Sequence, residues 1–541
     1  MHFTYLFKPK HQALAVSLFC CSQLSIAQQS KENTQDLSKD SKKGWLTYAE
    51  RKEDGSIVMT YTIKQSKKGD EVKYEDYIFG SDLSAKGMVP GKEAKVEKPP
   101  RTVTTLAAYA GGGNSFNVNS QKLALQKETW TQEWNYKTQK YEWDSRLSKE
   151  KVNLKNADGK YDGYTELSTD DGVFIIASYQ PDAKGAGEQF VAAFVDNNLN
   201  VKETPVTTSG NYSLVYYGER ANGNPFVIMA PKSKSADTKQ YVYAEFTTKA
   251  ELVTRSNFAS PSPNMMVMDY REIDGNLYIA AGSTKSKDAY EDEFTDFANI
   301  SNPAMGISRQ VQKYTKDVYG KELTNFHFLK MKDGKLAFAS TTPVKSFKDK
   351  VVTPPGQKKA STYEGKRLSI QTMMVTPTGE YLMAGQLMDR DIVKEELVTK
   401  YKDIVGLHFD ASGNLKAQYA VEKINDDSKS EVFDSPQTFI ISADGKTAYW
   451  EILEVKGTKG YASFTDAYNG NDTWTANYFP RIAKINLGSG GLSEFTVLGS
   501  KGKFLMYKNH AYIVDEKERT RYYLGHDGDY EKVWIGKYVF E

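Results

Sequence analysis

The chain of 541 residues contains only two cysteines, Cys20 and Cys21. Both fall inside an N-terminal leader, so a mature chain carries no disulfide, no thiolate metal site and no cysteine nucleophile. Long apolar runs are also missing. Beyond residues 13–24, no stretch approaches the roughly 20 apolar residues that a membrane-spanning helix needs. Histidine is scarce: His327, His408, His510 and His526 are far apart, and none forms an HxH or HExxH pair. They read as structural residues, and no metal or cofactor is expected. There is no GxSxG elbow and no glycine-rich loop followed by Lys-Ser/Thr, which removes the usual serine-hydrolase and phosphate-loop chemistries. Charge of one sign is missing too. Lys8 and Lys10 are the only formal charges of the leader, and without them basic and acidic residues balance at 69 each. That balance gives no support to nucleic acid as a partner.

The leader itself is readable. Residues 1–12 are basic without an acid, residues 13–24 are mostly apolar, and Ser25-Ile26-Ala27 puts small residues at the −3 and −1 positions of a cut before Gln28. This is a secretory signal peptide over 1–27. Lipidation of Cys20 or Cys21 is the competing reading, but Ser17-Leu18-Phe19 lacks the small residue expected just before the cysteine. The expectation is an exported, periplasmic protein, with an extracellular or lipid-anchored one as the alternative. Residues 28–43 are polar and free of aromatics, and read as a disordered lead-in.

What the chain has in quantity is one turn. Asp-Gly stands between apolar runs at Asp54, Asp171, Asp274, Asp333 and Asp444, with Asn222-Gly223 and Thr378-Gly379 in the same context and Lys508-Asn509 as a weaker copy. The runs that follow are alike, for example VFIIAS at 173–178, NLYIAAG at 276–282 and EYLMAG at 380–385. A second turn alternates with the first, as in His408-Phe409-Asp410-Ala411-Ser412-Gly413-Asn414-Leu415. Two hairpin turns per unit mean four strands per unit, one blade of a β-propeller. The fold expected over 44–541 is therefore all-β: a single propeller of four-stranded blades, eight in number with seven as the alternative. A degenerate blade falls near Thr102–Asp144, and one of the nine turn sites is spurious or shares a blade. The Asp-Gly pairs suit type I′ hairpins. Two polar segments, 285–322 and 343–366, are insertions on one rim, with a short helix over 287–298 and another over 388–400. The C-terminal stretch 503–541 holds four apparent strands, so the ring closes edge to edge or with Trp45–Tyr48 completing the last blade.

The stretch Thr438–Trp450, with Ser442-Ala443-Asp444-Gly445-Lys446 at its centre, resembles the repeat of TolB-like (PD40/WD40-like) periplasmic propellers, with Ala443 where proline is usual. His408–Leu415, after Lys402-Asp403-Ile404-Val405, is similar to repeats in secreted propellers of the Bacteroidota. The resemblance implies an envelope or extracellular protein that acts by binding.

Chemistry is less legible. Asn156–Gly163 has the look of a calcium loop, but Lys160 stands where a ligand is wanted. Trp130, Trp134 and Tyr136 share one face of a strand, and Tyr141 and Trp143 lie on the return strand. This aromatic ladder is either inter-blade packing or an exposed platform. Trp474, with Tyr478 and Phe479 after it, forms a second aromatic candidate at a loop. Trp130, Trp134, Trp143, Trp474, Tyr478 and Phe479 are thus the candidate partner-binding residues. The function expected is non-enzymatic: binding of a cell-envelope protein, for example as a periplasmic subunit on an outer-membrane complex such as a type IX translocon. A carbohydrate-binding or glycan-cleaving propeller is the alternative.

Overall fold

The computed structural model describes residues 29–63, 71–94, 102–110, 123–135, 140–153, 160–180, 189–207, 212–233, 237–294, 321–393, 396–424, 430–459, 475–506 and 512–541, with side chains excepted over 102–166 and at several strand ends. The fold is all-β and propeller-like. Eight antiparallel sheets follow one another along the described chain, most of them four-stranded meanders in sequence order.

Sheet I holds Trp45–Arg51, Ile57–Thr62, Glu71–Phe79 and Ala85–Ala94. Sheet II has three strands, Thr102–Ala110, Leu123–Asn135 and Lys140–Asn153, where the degenerate unit is expected. Sheet III holds Lys160–Thr169, Gly172–Gln180, Gln189–Asp196 and Val201–Pro205, and sheet IV holds Tyr212–Glu219, Pro225–Pro231, Gln240–Phe246 and Leu252–Ala259. Sheet V holds Met266–Ile273, Asn276–Ser283, Asn325–Lys332 and Lys335–Pro343. Sheet VI holds Leu368–Val375, Tyr381–Val393, Glu396–Phe409 and Leu415–Val421, and sheet VII holds Gln437–Ile441, Thr447–Lys459, Thr475–Asn486 and Thr496–Val497. Asp274 and Asp333 both turn within sheet V, which is the shared unit that the surplus turn required.

Sheet VIII is assembled from both ends of the chain. Lys532–Val539 pairs with Thr520–Asp527 on one side and with Ser30–Asp36 on the other. This corrects two expectations. Residues 28–43 are not a disordered lead-in throughout, and Trp45–Tyr48 begins sheet I rather than completing the last unit. The C-terminal stretch contributes three strand positions instead of four, because Phe504–Met506 and Tyr512–Asp515 both pair with Thr520–Asp527. The physical reason is non-local. Ser30–Asp36 has no apolar pattern of its own, yet Glu32 accepts hydrogen bonds from Trp534 Nε1 at 2.8 Å and the Gly499 amide at 2.9 Å. Leu37 is buried beside Tyr61, Tyr77 and Val533, and the buried Glu75 carboxylate accepts from the Ser38 and Ser41 hydroxyls at 2.6 Å.

The turns are less uniform than the type I′ expectation. Among the described Asp-Gly, Asn-Gly and Thr-Gly turns, only Asp274-Gly275 and Asp333-Gly334 have both residues at positive φ. At Gly55, Gly223, Gly379 and Gly445, the glycine alone has positive φ and its amide bonds the carbonyl three residues back, so the loop is longer and the glycine ends it.

The first strand of most sheets also carries one extra residue in its pairing with the second: Thr47, Tyr164, Val215, Met268 and Gln371. In sheet VIII, Phe504–Met506 and Tyr512–Asp515 pair with Thr520–Asp527 on either side of Leu524. These bulges re-aim side chains along the first strands. Opposite two of them stand Gly385 and Gly525, where an added Cβ would lie 2.1 Å from the carbonyl oxygens of Ser369 and Leu505.

Apolar faces of neighbouring sheets meet in order. Continuous buried clusters join III to IV, IV to V, V to VI, VI to VII, VII to VIII and VIII to I. Phe226 packs edge-on to Tyr270 across IV and V, with centroids 5.1 Å apart, and Trp450 lies against Tyr419 across VI and VII. Burial of side chains of this size is the main stabilising term. Arg220 adds a polar pin, bonding Glu245 and Glu272 at 2.8 Å each and so tying IV to V.

Candidate functional site

In a four-strand meander the turns between strands one and two and between three and four share one end. The connections between strands two and three, and from one sheet to the next, share the other. Both polar insertions lie in connections of the second kind, as does the extended hairpin of sheet VI. This is the insertion end.

The described parts of both insertions carry local structure. Residues Tyr290–Phe294 form a one-turn helix, α1, with both aromatic ends buried, within the segment expected to be helical. Val344–Lys350 forms a 3-10 turn that sinks Phe347 among Phe326, Tyr363 and Phe409. Val351–Val352 then adds a short parallel strand beside Gln418 and Tyr419. The helix expected over 388–400 is instead a hairpin, with Ile392 opposite Leu397 and Asp389 opposite Lys400. Apolar residues there occur at cross-strand positions, which a helical reading of the same spacing mistakes for one face.

The two insertions meet. The Leu323 amide donates to Gly365 O at 2.8 Å, and Lys366 pairs with Glu322 at 3.3 Å. Between them and the sheet VI hairpin lies a cleft of about 430 Å³. Its walls carry Glu322, Glu364 and Asp389 against Lys366, Arg367 and Lys402, with the Ser361 and Thr362 hydroxyls alongside and Leu387 and Met388 as apolar surface. Arg367, at φ +59°, pairs with Asp389, and Lys402 pairs with Glu431 at 2.7 Å. The pairs hold cations and acids of different segments in fixed relation while leaving them half-exposed or exposed.

A second polar group lies between sheets VI and VII. Gln371, the bulge residue, donates to Gln386 Oε1 at 3.3 Å and Asp434 Oδ2 at 3.2 Å, and accepts from Gln437 Nε2 at 2.9 Å. Gln437 Oε1 accepts from Trp450 Nε1 at 3.1 Å. Gln386 Nε2 donates to the carbonyl of Lys402, whose side chain lines the cleft.

The aromatic candidates divide. Trp130 and Trp134 lie on the second strand of sheet II and Trp143 on the third, with Trp134 opposite Tyr141 and Trp143 opposite Gln132, so the expected hairpin is present in the backbone. Their side chains, and Trp474 altogether, lie outside the described residues, as do His510 and most of the calcium-like loop. Tyr478 is half-buried near Asp434 and Tyr401; burial first, and then their charges, push its hydroxyl pKa up. Phe479 is fully buried, so it serves packing and is not a surface contact. His327, His408 and His526 are buried in three different sheets. Burial lowers the His327 pKa to about 4, and its ring bonds Thr341 and Ser283. Among the described residues no group of three or more metal-ligating side chains occurs, and no helix is long and apolar enough to cross a membrane.

Sequence reasoning missed Gln371, Gln386, Asp434 and the cleft charges. One signal was available: Gln386 follows Gly385 where Ser283 follows Gly282, a long amide in place of a hydroxyl at the end of an apolar strand.

No family model matches the chain, and no curated protein matches it. Among solved structures it is similar to a post-proline cleaving enzyme from Rickettsia typhi, with TM-score 0.23 and 11% identity over 77% of this chain and 50% of that one, so it spans half that enzyme's length. It is also similar to a Penicillium chrysogenum α-L-arabinanase complexed with arabinobiose (TM-score 0.24, 10% identity, 70% and 93% covered). A third is a Synechocystis apocarotenoid oxygenase (TM-score 0.28, 7% identity, 83% and 95% covered). Scores of this size carry no activity over to this chain.

Proposed function

We propose that the protein is an exported β-propeller of eight blades, its ring completed by Ser30–Asp36, that binds a carbohydrate at the insertion end. Export and a periplasmic location rest on residues 1–27, and the envelope setting rests on the TolB-like repeats.

The cleft between the insertions carries the reading. Sugar hydroxyls both donate and accept, and this cleft offers carboxylate acceptors, ammonium and guanidinium donors and two hydroxyls within one space of about 430 Å³. Its three acids and three bases cancel, which disfavours a highly charged ligand. Leu387, backed by the buried Met388, offers contact to the C–H face of a sugar ring.

The expectation of an envelope protein partner, such as a type IX translocon, draws less support. Protein docking relies on clustered aromatic and arginine anchors. The large exposed aromatics among the described residues, Trp45 and Tyr48 in sheet I and Tyr512 in sheet VIII, do not line the cleft, and neither do the exposed pairs Met88-Val89 and Leu252-Val253.

The test is a polysaccharide array followed by calorimetric titration of the best binder. Lys366→Ala and Asp389→Ala should each weaken binding about tenfold with little change in melting temperature, because exposed ion pairs contribute only about 0–1 kcal/mol. Failure to bind any glycan would refute the reading. Release of reducing ends would change it to a glycosidase.

A further inference from the structure

We propose a second subsite between sheets VI and VII, formed by Gln371, Gln386, Asp434, Ser435 and Gln437, that takes one neutral sugar ring through its hydroxyls. It shares only the ligand class with the cleft reading.

The first observation is preorganisation. The bulge turns Gln371 out of the strand ladder, and its amide is then fixed at both ends by Gln386, Asp434 and Gln437. Gln386 Oε1 also accepts from the Ser435 amide at 2.6 Å. Each amide is therefore oriented before any ligand arrives. Gln386 Nε2 and Gln437 Nε2 are each engaged once in the bonds above, and an amide nitrogen has two N–H groups to give.

The second observation is independent of the first. Ser435 is fully buried, and its hydroxyl has no partner among the described residues. Buried hydroxyls are ordinarily satisfied. A sugar hydroxyl can either donate to Ser435 Oγ or accept from it. Tyr478 lies near Asp434, and an aromatic ring there suits the apolar face of a sugar. The charges disfavour an anionic ligand. Asp434 is the one ionisable group of the five, and the nearby Lys402 is already paired with Glu431.

Trp450 reports on this subsite, since its indole N–H is bonded to Gln437. The experiment is fluorine NMR of the full chain labelled with 5-fluorotryptophan, whose seven tryptophans give few signals. The probes are glucose, galactose, mannose and N-acetylglucosamine at millimolar concentration. Trp450 is assigned with Trp450→Phe or, if that variant does not fold, by the shift that Gln437→Ala produces. At least one sugar should move the Trp450 signal saturably. Ser435→Ala should weaken that response about tenfold while leaving the melting temperature equal or higher, and Lys366→Ala in the cleft should leave it unchanged. A silent Trp450 signal with all four sugars, or a response indifferent to Ser435→Ala, overturns the subsite and leaves water as the hydroxyl's partner. Glycan binding that needs Lys366 and Asp389 alongside a silent Trp450 would retain the cleft reading and reject this one. A Trp450 response without cleft binding would do the reverse.

Discussion

A chain that begins at Gly44 should fold, melt slightly early and self-associate. The truncation removes Ser30–Asp36, whose seven residues pair with Lys532–Val539. The ladder itself contributes little net stability. Each hydrogen bond is worth about 0.5–1.5 kcal/mol, while fixing each residue's backbone costs about 1–2 kcal/mol. What remains is side-chain work. Burial of Leu37 contributes about 1.5–3 kcal/mol. The contacts of Glu75 with Ser38 and Ser41, and of Glu32 with Trp534 and Gly499, add a few more, reduced because water replaces them at an opened edge. A total of roughly 3–6 kcal/mol, set against an unfolding entropy of about 1 kcal/mol per kelvin for some five hundred residues, lowers the melting temperature by only about 3–6 °C. The larger effect is on association. Lys532–Val539 becomes an unpaired edge beside buried Val533, Trp534 and Ile535, and such edges recruit other chains. Differential scanning fluorimetry measures the first effect and light scattering after gel filtration the second. A synthetic peptide of residues 28–43, in excess, should restore both the monomer and the melting temperature. A truncated chain that melts with the full-length protein and stays monomeric would refute the argument.

Three further outcomes are expected. Gly385→Ala places a Cβ 2.1 Å from Ser369 O, and because a backbone atom cannot swing away, this should lower stability by about 1–3 kcal/mol in urea titration; Gly445→Ala, with open space around it but positive φ, should cost less, about 1 kcal/mol. Arg220→Ala leaves the carboxylates of Glu245 and Glu272 in a largely buried site without their cation, and should cost about 3–5 kcal/mol, seen as an early melt in calorimetry. His327 titrates at about 4 in the fold against about 6.5 in the unfolded chain. The unfolded state therefore binds more protons between those values, and stability present above pH 6.5 is lost as pH falls toward 4. His327→Gln should flatten that part of the melting-temperature profile.

The repeated architecture was legible because its signal is local. Asp-Gly between alternating apolar runs marks hairpins wherever it occurs, and the surplus turn at Asp333 was the kind of redundancy that such counting exposes. Ser30–Asp36 was not legible. Its strand exists only because Lys532–Val539, some five hundred residues away, offers a ladder and Glu75 offers a buried acceptor, and neither appears in the composition of the segment itself. The hairpin at Tyr381–Phe409 failed for a different reason. Charges and apolar residues there follow cross-strand pairing, and a one-dimensional pattern cannot distinguish that from a short helical stripe. The site was least legible of all. Gln371, Gln386 and Gln437 come from three strands, and Asp434 comes from the connection before one of them. A single glutamine in a sequence carries no message until a bulge turns it toward the others.

Strand direction explains why the loop insertions gather at one end. The turns at the other end follow short templates in which a positive-φ residue is needed, at Gly55, Leu83, Gly223, Ala250, Gly379 and Gly413. An insertion there would break the geometry that sets the register of two strands. Connections between strands two and three, and between sheets, carry no such template. They accommodate the 3-10 turn with Phe347, the α1 segment and the lengthened hairpin of sheet VI while the strands below stay in register. Variation is therefore tolerated where several sheets present their loops together. The cleft and the glutamine cluster both occur there, one on each side of the irregular stretch of sheet VI at Gln386–Met388. A mutation that regularises this stretch, such as insertion of one residue after Leu387 to match Lys402 and Asp403 on the facing strand, should thus impair both sites at once while sparing the melting temperature more than Gly385→Ala does. Loss of only one site would show that the two are built independently.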